Sequence, residues 1–131
     1  MTDQPALQSL AHAVERYFDL MYDCDVARFD AVFAPSAQLH GFRDGQMSLL
    51  TAPGYKAVLA ARPSPKSKGA PREQEVLLID VASPTQAVVK VRVRIDPIVY
   101  VDYLNYHRID GTWLITAKSF HVERRHEVAA G

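Results

Sequence analysis

Apolar and polar residues recur with helical spacing near the start of the chain and alternate with period two through its second half. The longest alternating stretch is residues 100–121, YVDYLNYHRIDGTWLITAKSFH. Two strand-like runs flank Asp110-Gly111, a dipeptide suited to a two-residue type I′ turn. That turn predicts a register. If Ile109 faces Thr112, then Tyr106 faces Ile115, Leu104 faces Ala117, Asp102 faces Ser119 and Tyr100 faces His121. Side chains alternate along a strand, so these eight residues from Tyr100 to His121 share one face, with Trp113 beside them. The face is apolar near the turn and polar further out. An apolar floor with a few convergent polar groups at one end is how a small-molecule pocket is lined.

The rest of the pattern predicts the surrounding elements. Residues 1–3 read as a short frayed end, with Asp3 a candidate cap and Pro5 in the first helical turn. Residues 6–22 read as a helix with Leu7, Leu10, Ala11, Val14, Phe18 and Met21 inward and Tyr17 on the edge of the stripe. Asp25 suits the cap of a short second helix with Phe29, Val32 and Phe33 inward, closed before Pro35. Residues 37–42 and 46–50 read as strands about a tight turn at Asp44-Gly45. Thr51 is an N-cap for a third helix, with Pro53 in its first turn and Tyr55, Val58 and Leu59 on its apolar side; Pro63 ends it. Residues 63–71, PSPKSKGAP, read as a mobile loop, a surface connection or a lid. Residues 73–81 and 86–95 are strands, the second placing Ala87, Val89, Val91, Val93 and Ile95 on one face. A tight turn at Asp96-Pro97 would set Val91 beside Asp102 and Val93 beside Tyr100. The tail after Val122 is polar and reads as fraying. Helices first and antiparallel strands after argue one α+β domain spanning residues 1–131, with three helices of the N-terminal half packed on one face of a twisted, conical sheet.

Composition narrows the partners. Fifteen basic residues balance fifteen acidic ones, so no net field attracts nucleic acid or an anionic membrane. Cys24 is the only cysteine. An internal disulfide is therefore excluded, and a reducing, cytoplasmic setting is expected. No run approaches the roughly 20 apolar residues of a membrane helix, and no signal peptide is read at the N-terminus.

Several segments carry a family likeness: YFDLMY at 17–22, the acid-led second helix, AQLHGFRDG at 37–45, RPSP at 62–65 and APRE at 70–73. VRVRI at 91–95, VDYL at 101–104 and RIDGTWLITAKSFH at 108–121 complete it. In this order they resemble the nuclear transport factor 2-like superfamily, shared with ketosteroid isomerase, scytalone dehydratase and SnoaL-like polyketide cyclases. Within it the chain is similar to the group described as putative lumazine-binding. The resemblance implies a cone-shaped, cystatin-like α+β barrel with a curved, mixed sheet, and a homodimer through the outer sheet face. It implies no particular chemistry, because this fold hosts isomerases, dehydratases, cyclases and adaptors. Nothing in these residues reads as a pteridine site.

Asp102 and His121 are the sharpest candidate pair. In the expected register they are diagonal neighbours, close enough for the carboxylate to fix the imidazole tautomer and favour its charged form, as in a general acid/base. A buried polar pair that merely satisfies itself has the same signature. Tyr17, Tyr55, Tyr100 and Trp113 are candidates to stack on a flat ligand, though core packing asks for the same residues. Ser119 shares the polar end of the face, and His40 lies on a strand from which either face is accessible. No metal ligation or other cofactor is expected, since the five histidines show no ligand spacing and Cys24 has no cysteine partner. Gly41, Gly45 and Gly111 are assigned to turns. Three classes of function remain open: a binder of a small, mostly apolar molecule held between the first helix and the sheet, a cofactor-independent lyase or isomerase using Asp102 and His121, and a dimerising module with a vestigial pocket. The opposite hairpin face, with Val101, Tyr103, Asn105, His107, Leu114, Thr116, Lys118 and Phe120, suits a homodimer interface.

Overall fold

The computed structural model describes residues 4–126. Ala6, Leu10, Ala13, Val14, Tyr17, Phe18 and Met21 form the buried stripe of helix α1 (Gln4–Asp23). Tyr17 sits at the centre of that stripe, and Ala11 is exposed. The expected cap at Asp3 lies outside the described residues, as do residues 127–131.

Asp25 does cap the next element, its side chain accepting from the Ala27 N–H, but that element is a 3-10 turn, Val26–Ala31. Phe33 belongs to strand β1 (Phe33–Arg43), which starts four residues earlier than the alternation suggested. Its ladder to the later strand β6 skips from Phe33 to Gln38. Pro35, which has no N–H to give, falls in that irregular stretch. Asp44 and Gly45 turn with φ of 52° and 79°, the positive values of a type I′ turn, into β2 (Gln46–Thr51). Thr51 Oγ1 accepts from the Gly54 N–H at 3.2 Å and caps α2 (Ala52–Ala61).

The 63–71 loop is hydrogen-bonded to the end of α1. The Lys66 N–H donates to the Tyr22 carbonyl at 3.0 Å, and the Tyr22 hydroxyl donates to the Ala70 carbonyl at 2.9 Å. Pro65 is buried beneath. These contacts set the loop against the end of α1.

Four long strands follow: β3 (Gln74–Ser83), β4 (Gln86–Ile95), β5 (Ile98–Ile109) and β6 (Thr112–Arg125). β6 continues through Arg125, which pairs with Ile98, past the expected point of fraying. The sheet order is β2-β1-β6-β5-β4-β3, antiparallel throughout except for the parallel β1–β6 pair. The architecture is a six-stranded mixed sheet curled over the helices, an α+β fold. Val91 lies beside Asp102 and Val93 beside Tyr100, as the Asp96-Pro97 turn implied.

Within residues 100–121 the β5–β6 hairpin departs from expectation at one residue; a second irregularity, at Glu123, lies beyond that stretch. Ile109 faces Thr112 and Tyr106 faces Ile115, but Asn105 then faces Ala117, leaving Thr116 without a partner. This is a β-bulge, and an extra residue re-aims everything beyond it. Lys118 and Phe120 turn to the inner face. Ser119 and His121 turn outward into solvent, opposite Tyr103 and Val101. One inner row now crosses the whole sheet: Leu50, Leu39, Lys118, Leu104, Val89, Ile79. A lysine stands in a line of aliphatic residues.

Gly41 is also placed by this change. It lies within β1, not in a turn. A Cβ there would sit 2.4 Å from the Phe120 ring and 2.5 Å from the Phe120 carbonyl oxygen. Phe120 packs inward across β1 only because position 41 has no side chain.

Candidate functional site

The inward turn of Lys118 brings together four polar side chains from four elements. Tyr17 comes from the centre of α1, Tyr55 from the first turns of α2, Asp102 from β5 and Lys118 from β6. Lys118 and Asp102 retain only 5% and 1% of their surface. The Tyr17 hydroxyl donates to Asp102 Oδ2 at 2.5 Å. Lys118 Nζ stands 3.8 Å from the same oxygen, an ion pair, and donates to the Tyr55 hydroxyl at 3.3 Å. That hydroxyl in turn donates to Met21 Sδ at 3.2 Å. The ammonium lies over both tyrosine rings, 5.2 Å from the centroid of Tyr17 and 4.9 Å from that of Tyr55. Phe33 packs edge-on against both rings.

The burial sets the electrostatics. Loss of water drives the Asp102 carboxyl above its ordinary range, against the pull of Lys118 and the Tyr17 hydroxyl. Burial works against the Lys118 charge, but Asp102 and Tyr55 outweigh it and hold the ammonium above its ordinary value. Tyr17 is pushed well up by burial and by the carboxylate it faces. Asp102 Oδ1 has no hydrogen-bond partner.

Two members of this cluster, Tyr55 and Lys118, form the floor of a cleft. Its apolar wall is Leu39, Leu50, Val58, Ile95 and Phe120, and its polar lining is Arg43, Ser48, Tyr55, Arg62, Tyr100 and Lys118. The cleft holds about 470 Å³ of empty space, counted out through its mouth. Asp102 and Tyr17 lie behind the floor and do not line it.

Of the residues singled out in the sequence, Tyr55 and Tyr100 line this cleft, and Tyr17 and Asp102 support its floor. Asp102 and His121 do not meet: the bulge at Thr116 puts them on opposite sides of the sheet. Ser119 leaves the site for the same reason. His40 pairs with Leu49 and Ser119 in the outer row and does not line the cleft. Trp113 is buried at the far end, where its Nε1–H donates to Ser9 Oγ at 3.0 Å. The space between α1 and the sheet, expected to enclose the ligand, is packed by Tyr17, Phe18, Tyr106 and Trp113. The opening lies instead beside α2 and the β1–β2 hairpin. The sequence pattern did not single out Arg43 or Arg62, and it put Lys118, with Phe120, on the outer, interface face; the bulge turns both inward. One signal for Lys118 was present but blurred by Leu114: before Thr116 the largest and most buried residues of β6 are odd-numbered (Trp113, Ile115), and after Ala117 the apolar ones are even-numbered (Phe120, Val122). A change of phase in a strand marks a bulge.

The sequence profile of the family described as putative lumazine-binding matches residues 6–121. The chain belongs to that family. Its fold is that of the nuclear transport factor 2-like superfamily. An NTF2-like protein of unknown function from Silicibacter pomeroyi has a TM-score of 0.79 at 18% identity, covering 94% of this chain and all of that one. One from Shewanella baltica has the same score and identity, covering 95% and 98%. A ketosteroid isomerase-like protein from Erwinia carotovora atroseptica reaches 0.73 at 12% identity, covering 93% and 99%. At these identities the likeness is one of fold. No curated protein sequence matches the chain. Among the described residues no helix is long and apolar enough to cross a membrane.

Proposed function

We propose that this member of the putative lumazine-binding family binds a small, mostly apolar molecule in the cleft between α2, the β1–β2 hairpin and the end of β6. The observation that carries this reading is the pairing of an aliphatic and aromatic wall with a floor of Tyr55 and Lys118. Few convergent polar groups in an apolar cleft orient a ligand. The test is fragment screening by amide chemical shifts. Binders should perturb Ser48, Leu50, Val58 and Phe120. Perturbation confined to the outer sheet face or the Trp113 end would overturn the reading.

The line Tyr17–Asp102–Lys118–Tyr55 favours a second reading, a lyase or isomerase that moves protons at the cleft floor. Lys118 and Tyr55 then take the place first given to His121, with Asp102 holding the ammonium from behind. On this reading Tyr55→Phe costs turnover more than binding; equal loss of both argues for binding alone.

A homodimer through the outer face is part of the proposal. The outer row Leu49, His40, Ser119, Tyr103, Lys90, Leu78 crosses all six strands, and Leu49, Leu78 and Tyr103 are 58%, 54% and 44% exposed. Mixed aromatic, apolar and charged surface of this kind suits an interface. Sedimentation at micromolar concentration should give twice the chain mass; a clean monomer counts against it. The single cysteine fits a reducing, cytoplasmic setting.

A further inference from the structure

The charge of the cleft is not balanced by its own walls. Arg43, Arg62 and Lys118 line it, and among the described residues no acidic side chain does. The three cations differ in what answers them. Lys118 has Asp102 behind it. Arg43 is exposed to water, and its Nη2 donates to the Tyr100 hydroxyl at 3.1 Å. Arg62 follows the last turn of α2 and is partly buried. None of the ion pairs among the described residues uses it. Its Nε and Nη2 are closed off from solvent and make no hydrogen bond.

Those two nitrogens are not an arbitrary pair. Nε–H and Nη2–H form one edge of the guanidinium fork, the edge that takes a carboxylate with two parallel bonds. Burial weighs against the charge of this guanidinium, and what answers it is Tyr55 and Cys24, not a carboxylate. A ligand bearing one negative charge would supply the missing counter-ion.

We propose that the cleft takes a small carboxylic acid with an apolar body, its carboxylate received by Arg62 with the Lys118 ammonium and the Tyr55 hydroxyl alongside. The inference rests on the reading of this cleft as a ligand site. The apolar body lies against Leu39, Leu50, Val58 and Phe120. Carboxylate is preferred to a phosphate dianion because Arg62 is the one lining cation that is neither well exposed nor already paired. A second negative charge would be buried in the aliphatic wall without an answer.

The experiment compares matched probes: benzoate, cyclohexanecarboxylate and 2-naphthoate against their uncharged primary amides. Binding is measured by amide chemical shifts and calorimetry at fixed ionic strength. At least one acid should bind about ten-fold or more tighter than its amide, with shifts at Ser48, Val58 and Phe120. Arg62→Gln should erase the preference, and Arg62→Lys, which keeps the charge but not the fork, should restore only part of it. Arg92→Gln, on the opposite sheet face, should leave it unchanged. Circular dichroism of each variant establishes that it is folded. Equal affinity of acid and amide at the cleft would overturn this inference and leave the ligand site standing. Absence of cleft shifts with every probe and every fragment would overturn both.

Discussion

Lys118 Nζ lies 3.8 Å from Asp102 Oδ2, and both side chains are almost wholly withdrawn from solvent. The two are not directly opposite in the sheet. Lys118 faces Leu104 and Asp102 faces Phe120, so the pair meets on the diagonal, under the ring of Tyr17. Either charge alone in this position would be costly. Lys118→Met should therefore destabilise the fold by about 3–5 kcal/mol, unless the stranded carboxyl takes up a proton. Combining it with Asp102→Asn should recover much of the loss, because a neutral pair removes both desolvation costs. Denaturant midpoints of the two single variants and the double variant check this non-additivity.

Alkaline stability follows from the same cluster. Tyr17 and Lys118 both hold their protons above their ordinary values of 10.0 and 10.5. The unfolded chain releases those protons first. The stabilisation is full below about pH 10 and is lost as pH rises through the folded values, at up to about 1.4 kcal/mol per pH unit for each group. Tyr17→Phe removes one titrating group. Between pH 9.5 and 11.5 its stability should decline less steeply than that of the parent chain; parallel declines would refute the assignment.

Gly41→Ala should destabilise by about 1–3 kcal/mol, the range for forcing a methyl into packed space. The added carbon meets both the Phe120 ring and its carbonyl oxygen. Phe120→Ala in the same chain should relieve the ring clash but not the backbone one, giving partial rescue in thermal melts.

Deleting Thr116 should leave a folded protein with Lys118 still inward. The deletion restores simple alternation, with Ile115 in, Ala117 out and Lys118 in, and the partners of β5 are already spaced for it. Some stability is lost, since Thr116 Oγ1 lies 2.6 Å from His107 Nδ1 and the bulge bends the strand. Acylation of lysines followed by peptide mass spectrometry should find Lys118 protected in both chains. Labelling of Lys118 as fast as Lys90 in the deletion variant would contradict the register.

The limits of the sequence argument sit at identifiable residues. β4, the turn at Asp110-Gly111 and the Val91–Asp102 neighbourhood were legible because alternation and turn chemistry are local. The register of β6 beyond Ile115 was not, because one unpaired residue, Thr116, reverses the face of those that follow as far as Val122. Phe33 was misassigned to a helix because its place is set by pairing with Ile115, eighty-two positions away. Arg62 carries no sequence mark. Its interest comes from lining the cleft without a counter-ion, which only the fold reveals.

The Thr116 bulge turns Lys118 into the interior beside Asp102, where it becomes part of the floor of the cleft. Nitrogen-15 NMR of the lysine side-chain ammonium groups near pH 7 tests this most directly. One slowly exchanging ammonium signal is expected, with Overhauser contacts to the Tyr17 and Tyr55 rings, that disappears in Lys118→Met. A Lys118 ammonium exchanging as fast as the surface lysines, with no contact to either ring, would contradict it.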